Sequence, residues 1–287
     1  MNFLWQHWPS VLRALAAQTC LKDGLKVALG SLLFPRSTAR WLRFLRAHPG
    51  LAGLASAHPR LLHKIYRPYL SNRLVCGERV DLLIGHYGML LEAGARGLLE
   101  AAARRPLTLA SVAGKEDGVY ELRLSAINDG HREGELCVKL LADGAALYSI
   151  SFTLQRQAGR RQIRVGALQG ANSEHAALWI KRATRNLHGC RPRKLLVAVV
   201  RDIGDYFGCG ATILVSNRNR IAINARRRRR ILADYDEMWR EMQARPRAEG
   251  DFALSCRGFL CLDFDALPSK KRSEAKKRSA LLQDIFA

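Results

Sequence analysis

The sequence lacks a long uncharged apolar run. No such run exceeds roughly a dozen residues, whereas a membrane-spanning helix needs about 20. Residues 1–21 are apolar but have no basic stretch ahead of them, and His7 and Arg13 interrupt them, which is unlike a secretory signal. We therefore expect a soluble cytoplasmic protein, peripheral at the inner membrane if its amphipathic first segment touches lipid through Trp5 and Trp8 rather than packing on the domain.

Cysteine pairs and metal-ligand patterns are also absent. The seven cysteines are odd in number and widely scattered, and none stands in a C-x-x-C pair. This argues against a disulfide framework and favours reduced thiols. Asp234 and Asp236 flank Tyr235 without the further oxygen ligands that a calcium loop needs at fixed spacing. We expect no metal site.

Acidic residues are scarce relative to basic ones. Lys and Arg total 47 against 25 Asp and Glu, which gives a formal net charge of +22. A field of this sign concentrates polyanions near the surface. The candidate anion-binding residues are two basic runs, namely Arg226, Arg227, Arg228, Arg229 and Arg230, and then Lys270, Lys271 and Arg272.

The basic runs suggest three kinds of partner. Anionic lipid or a phosphorylated ligand ranks first, because each basic residue near an anionic membrane surface contributes about 1 kcal/mol. Nucleic acid ranks second, because no known DNA- or RNA-binding motif accompanies the arginines and no aromatics are interleaved for stacking. The sequence does not predict an oligomeric state.

Hydrophobic periodicity divides the chain into three regions. Residues 1–106 are helical in pattern, and the leucines of residues 81–103 recur at helical intervals until Pro106. Residues 107–225 have the strand and helix patterns of an α+β core. Residues 226–287 form a basic extension that we expect to pack on this core.

The core region predicts an antiparallel meander followed by helices. Four strands are expected at residues 119–125, 134–141, 147–154 and 162–168, then helices at 173–188 and from Pro192 to about 207, and a short strand at 211–216. The predicted fold class is α+β, with a helical amino-terminal region before a mainly antiparallel sheet with packed helices.

Nine short stretches stand in order from about residue 60 to the end of the chain. They are 66–70 (YRPYL), 86–87 (HY), 132–136 (REGEL), 147–152 (LYSISF), 166–170 (GALQG), 187–194 (LHGCRPRK), 215–217 (VSN), 234–236 (DYD) and 268–272 (PSKKR). Together they resemble the VirK/YbjX family, formerly a domain of unknown function. The resemblance implies a link to the Gram-negative envelope, virulence and resistance to antimicrobial peptides. It implies no agreed reaction.

Residues 162–216 also resemble the core of a GNAT-type acyltransferase. There a meander precedes a backbone loop and a helix N-terminus that hold the pyrophosphate of acyl-CoA. The residues that would do so here are Gln169, Gly170, Arg191, Arg193 and Lys194. Acyl-CoA or acyl carrier protein is therefore a candidate cofactor. An ordinary turn and helix start is the alternative, because the closely spaced glycines of that loop are reduced to Gly170.

Three residues are weak candidates for acid–base chemistry. His86 and Tyr87 are adjacent in an apolar helical run, and Glu135 stands near a strand start. The structural alternatives are a buried polar contact that fixes helix packing for His86 and Tyr87, and a solvated strand end for Glu135. Two main hypotheses remain, an acyl or aminoacyl transferase and a non-catalytic adaptor for anionic lipid or an envelope partner. Parallel strands that splay at the end of residues 162–168 would favour the transferase, and a closed sheet would favour the adaptor.

Overall fold

Helices occupy the described part of the chain before the sheet, and two of them begin at prolines. The computed structural model describes residues 21–116, 118–127, 132–171, 175–221, 233–257 and 269–286. Within these, the first helices are α1 (Leu21–Leu33), α2 (Pro35–Ala47), α3 (Pro49–Ala57), α4 (Arg60–His63), α5 (Cys76–Glu92) and α6 (Arg96–Arg104), with a 3-10 turn at Lys64–Tyr66 after α4. Pro35 and Pro49 each stand at the first helical position, where the missing N–H costs nothing.

The continuous helical segment expected over residues 81–103 is in fact two helices. Gly94 lies between α5 and α6 with a φ of +68°, the left-handed conformation that commonly ends a helix. Leucine periodicity passes through this break because both helices bury leucines against the same core. The expectation of one helix there was wrong for that reason.

The sheet is mainly antiparallel, as predicted. Its described strands are β1 (Leu107–Ala113), β2 (Val119–Ala126), β3 (Leu136–Ala142), β4 (Ala145–Gln157), β5 (Arg160–Gly170), β6 (Ala211–Leu214), β7 (Arg245–Pro246) and β8 (Phe252–Ser255). Their order is β1-β2-β3-β4-β5-β6-β8-β7. The β5 and β6 strands run parallel, and the other pairs are antiparallel. The α+β fold class is confirmed.

The remaining helices follow the meander. They are α7 (Ala176–Asn186), α8 (Pro192–Tyr206), α9 (Tyr235–Glu241) and α10 (Ser269–Phe286). Both α5 and α8 pack against β4, the long central strand. A single hydrophobic cluster joins buried side chains from Trp41 in α2 to Leu281 in α10. The division into three regions stays a prediction.

None of the helices in the described part of the chain is long and apolar enough to cross a membrane.

Candidate functional site

A buried carboxylate lies where the helical region meets the sheet. Glu135 immediately precedes β3, and its backbone N–H donates to the Phe152 carbonyl (3.0 Å) and the Thr153 hydroxyl (3.1 Å). Lys64 Nζ donates to Glu135 Oε1 at 2.6 Å, and the Tyr87 hydroxyl donates to Oε2. We call Lys64, Tyr69, His86, Tyr87, Glu135 and Thr153 the Glu135 cluster. It combines all three candidate acid–base residues.

Two glycines allow the chain to bring Glu135 into this position. A Cβ at Gly134 would lie 2.4 Å from the Phe152 nitrogen, and one at Gly166 would lie 2.1 Å from the Glu133 carbonyl oxygen. Residues 133–135 therefore lie directly against the backbone of β4 and β5. Because any side chain at either glycine would collide with backbone, this crossing is restricted to glycine.

His86 is held in one tautomer. Its Nδ1 accepts a hydrogen bond from the Leu154 N–H at 3.2 Å, so the ring proton of the neutral form is on Nε2. Among the described residues, no hydrogen-bond partner lies near this buried Nε2. Burial lowers the pKa of His86 to about 4; the Glu135 charge opposes this shift and the Lys64 charge adds to it. The imidazole is therefore neutral at pH 7.

The charges of the cluster are fixed in one arrangement. Burial raises the pKa of Glu135, but the Lys64 charge, the electrostatic interaction with His86 and the hydrogen bonds from Lys64 and Tyr87 outweigh it, so the pKa is lowered overall. Burial and the Glu135 charge hold the pKa of Tyr87 and of Tyr69 well above the ordinary value. Glu135 and His86 are 1% and 0% exposed. A substrate cannot reach either group unless the packing opens, so acid–base catalysis here stays a prediction.

A second site is open to solvent. A cavity of about 440 Å³ lies between α7, the first turn of α8 and strand β4. We call it the basic pocket; its lining residues are Tyr148, Ile180, Lys181, Thr184, Arg185, Gly189, Arg191, Pro192 and Arg193. Four of the nine are cationic. The amino-terminal end of α8, which carries partial positive charge, opens into it.

Carboxylates neutralise only part of this charge. Glu241 accepts from both Arg191 (3.4 Å) and Arg193. Within the described residues no carboxylate lies within ion-pair distance of Lys181, Arg185 or Lys194. The pocket therefore has cationic side chains available for an anion.

Helix α10 extends the positive surface next to the pocket. Burial lowers the pKa of His188, and the charges of Lys115 and Lys277 lower it further, against the opposing charge of Glu274. The charges of Arg278 and Lys194 act on the adjacent Cys190, whose pKa burial raises to about 11. Basic residues of α10, which is distant in sequence, therefore lie beside residues 187–194.

The structure brings together part of the predicted cofactor-binding set. Gly170 pairs with Tyr148 across β4 and β5. Tyr148 lines the basic pocket together with Arg191 and Arg193. Gln169 and Lys194 are exposed nearby. Sequence reasoning missed Lys181 and Arg185, although their i, i+4 spacing on a predicted helix next to the 187–194 stretch was a usable signal.

The basic runs predicted as anion sites are only partly visible. Arg226, Arg227, Arg228, Arg229 and Arg230 lie outside the described residues, as do the side chains of Lys270 and Lys271 at the start of α10. Arg272 is exposed on α10 and interacts with a neighbour. Anion binding by these residues stays a prediction.

Beyond its pairing with β6, the edge of β5 is covered by Tyr235. The parallel pairing of β5 with β6 runs from Gln162–Ala211 to Val165–Leu214. Further along β5, the Tyr235 hydroxyl accepts from the Leu168 N–H (2.8 Å) and donates to the Leu168 carbonyl (2.9 Å). An open cleft at this point would favour the acyl-CoA hypothesis. The Tyr235 hydroxyl instead bonds both backbone groups of Leu168 there.

Comparison with known proteins identifies relatives without a described activity. A family model named "Protein of unknown function (DUF535)" matches residues 19–287. The uncharacterized protein YbjX of Escherichia coli K12 is 29% identical over 265 residues, which are 91% of this chain and 80% of that protein. An uncharacterized protein of Haemophilus influenzae is 22% identical over 259 residues, 90% of this chain and 84% of the relative.

Among solved structures, the chain is similar to a cAMP-binding acyltransferase from Mycobacterium smegmatis. The TM-score is 0.31 at 8% identity, and the match covers 67% of this chain and 62% of the acyltransferase chain, less than two thirds of its length. A second structure of that acyltransferase gives a TM-score of 0.32 at 11% identity. A structural similarity with a TM-score this low gives no information on activity or ligand.

Proposed function

The chain belongs to the DUF535 family of proteins of unknown function, and on that premise we propose that it is a non-catalytic adaptor that binds anionic lipid through the basic pocket. The observation that carries the proposal is that Lys181, Arg185 and Lys194, around the start of α8, have no carboxylate partner among the described residues. Phosphate groups of a lipid head group would accept charge-assisted hydrogen bonds from these side chains.

The spread of the positive charge favours a membrane surface over a small phosphate ligand. Cationic residues lie on three separate elements, α7, the first turn of α8 and α10, and so provide more charges than one phosphate neutralises. An anionic bilayer engages such a surface at many points, and each basic residue adds about 1 kcal/mol. In keeping with the family resemblance, we propose that this contact occurs at the Gram-negative envelope and supports its integrity, virulence or resistance to antimicrobial peptides.

Charge reversal in the pocket tests the proposal. We expect Lys181→Glu with Arg185→Glu to weaken binding to vesicles of mixed phosphatidylglycerol and phosphatidylcholine at least about thirtyfold, because two attractive charges become repulsive. Co-sedimentation at several salt concentrations measures the affinity, which should fall as salt rises.

The matched control is Arg36→Glu with Arg60→Glu. Both arginines are exposed, on α2 and α4, and the change in net charge is identical. We expect this control to bind nearly as well as the unmodified chain. Equal loss in the two double variants would mean that net charge alone drives binding, and no loss in the pocket variant would refute the proposal.

A second candidate is the acyl or aminoacyl transferase. The observation in its favour is that Arg191 and Arg193 line one pocket beside a helix N-terminus, together with Tyr148, the strand partner of Gly170. If the pocket holds a CoA pyrophosphate, acyl-CoA should bind saturably to the full chain, more weakly at higher salt, and the Lys181→Glu/Arg185→Glu variant should lose this binding. Absence of saturable binding at low and moderate salt would remove the transferase.

A further inference from the structure

An apolar cavity lies at the far end of α8 from the basic pocket. Its volume is about 360 Å³, and it opens between α6, β1 and the last turns of α8. Its inner lining includes Leu90, Leu99, Leu124, Phe152 and Ile203. Ten residues, about 15 Å of helix, separate Ile203 from Arg193 at the basic pocket. The two are distinct places.

The mouth of the cavity exposes large apolar side chains to solvent. Leu98 is 44% exposed, Leu109 42% and Tyr206 79%. The neighbouring positions on α6 are charged, and Arg96 and Glu100 pair with each other at 2.8 Å. Charged side chains therefore border the apolar patch on α6. A stable protein partner would need about 20–30 residues on each side, far more than this patch offers.

We propose that this cavity binds the acyl chain of a lipid or acyl thioester. Its volume is at the lower end of the range for small-molecule sites, and its lining is almost wholly aliphatic and aromatic. At about 27 Å³ for each methylene group packed at interior density, it holds a chain of roughly 12 carbons. The inference is independent of lipid head-group binding at the basic pocket, and either can fail alone.

One carboxyl group stands among the described residues that line the cavity. It belongs to Asp202, on α8, one turn before the exposed Tyr206. Burial raises the pKa of Asp202, and the charge of Asp205 raises it further. Asp205 is paired with Arg257 at 3.0 Å, so the repulsion of a negative end group at the cavity comes mainly from Asp202. The cavity therefore favours the neutral ester or thioester linkage of an acyl chain over the carboxylate of a free fatty acid.

The length of the chain provides the test. Lysophosphatidylcholines, acyl-CoA thioesters and free fatty acids with chains of about 6 to about 18 carbons are titrated calorimetrically into the full chain, below their micellar concentrations. For the ligand series whose head group matches the natural ligand, affinity should rise about fourfold per methylene up to roughly 12 carbons and then level off. Which head group binds tightest identifies the source, and free fatty acids should be weakest.

Leu98→Asp puts a charge at the mouth without disturbing buried packing. We expect it to weaken binding of the 12-carbon ligand at least tenfold, while Leu32→Asp, at a position 75% exposed on α1, leaves it unchanged. The proposal is overturned if no series binds saturably, if affinity keeps rising to the longest chains, or if both variants behave alike. A dimer that Leu98→Asp dissociates, without acyl binding, would assign the patch to a second copy of the chain.

Discussion

Replacing Glu135 with glutamine is expected to lower the free energy of unfolding by about 3–5 kcal/mol at neutral pH. The carboxylate is fully buried and forms an ion pair with Lys64, whose side chain is only 10% exposed. Without the negative charge, the Lys64 ammonium stays in a desolvated position with no counter-charge. Urea unfolding followed by tryptophan fluorescence measures the loss, and an unchanged slope with denaturant would indicate that the two-state transition is retained.

Two further variants isolate the buried charge as the cause. Glu100→Gln breaks the exposed α6 pair with Arg96 and should cost less than about 1 kcal/mol. Lys64→Met combined with Glu135→Gln removes both charges and should recover part of the loss. If Glu135→Gln costs no more than Glu100→Gln, the Glu135 cluster does not hold the helical region to the sheet.

The cluster also marks the limit of what the sequence predicts. His86, Tyr87 and Glu135 were recognised by residue type, but 48 residues separate Tyr87 from Glu135 and only the tertiary fold joins them. Lys64 gave no signal, because a single lysine in a helical region usually extends into solvent. Its burial accompanies the ion pair that it forms, from the 3-10 turn after α4, with Glu135 just before β3.

Strand β4 could be predicted from its alternating polar and apolar residues, whereas the edge strand β1 could not. The β4 strand is buried almost continuously between Ile150 and Gln155, yet its predicted core of alternating residues was sufficient to locate it. Strand β1 has neither deep burial nor β-branched residues in number, because it covers only one edge of the sheet. It was missed for that reason.

The short polar stretches that resemble the family contact one another. Asn217 donates to Asp236 Oδ1 (2.8 Å) and Asp234 Oδ1 (2.6 Å), and its own side-chain oxygen accepts from the Tyr235 N–H (3.0 Å). Tyr235 in turn bonds both backbone groups of Leu168. These stretches therefore fix α9 against β5. A sequence reveals such residues as unusual but does not distinguish mutual hydrogen bonding from ligand binding.

His86 should make the protein sensitive to mild acid. Its pKa is about 4 in the folded chain against an ordinary value of 6.5. Between these two values the unfolded chain binds a proton that the folded chain does not, so stability is complete above about pH 6.5 and falls as the pH decreases. A separation of about 2.5 pH units corresponds to a loss of about 3 kcal/mol by pH 4.

The variant His86→Gln separates this effect from the other titrating groups. A glutamine side chain can accept the hydrogen bond from the Leu154 N–H but cannot take up a proton. The free energy of unfolding of the unmodified chain minus that of the variant should therefore fall by about 3 kcal/mol between pH 7.5 and pH 4. Glu135, with its lowered pKa, also loses its contribution at low pH, and because His86 is one cause of that lowering, the measured difference includes a contribution from Glu135. A difference that stays constant with pH would mean that the folded and unfolded chains protonate His86 alike, so burial would not lower its pKa.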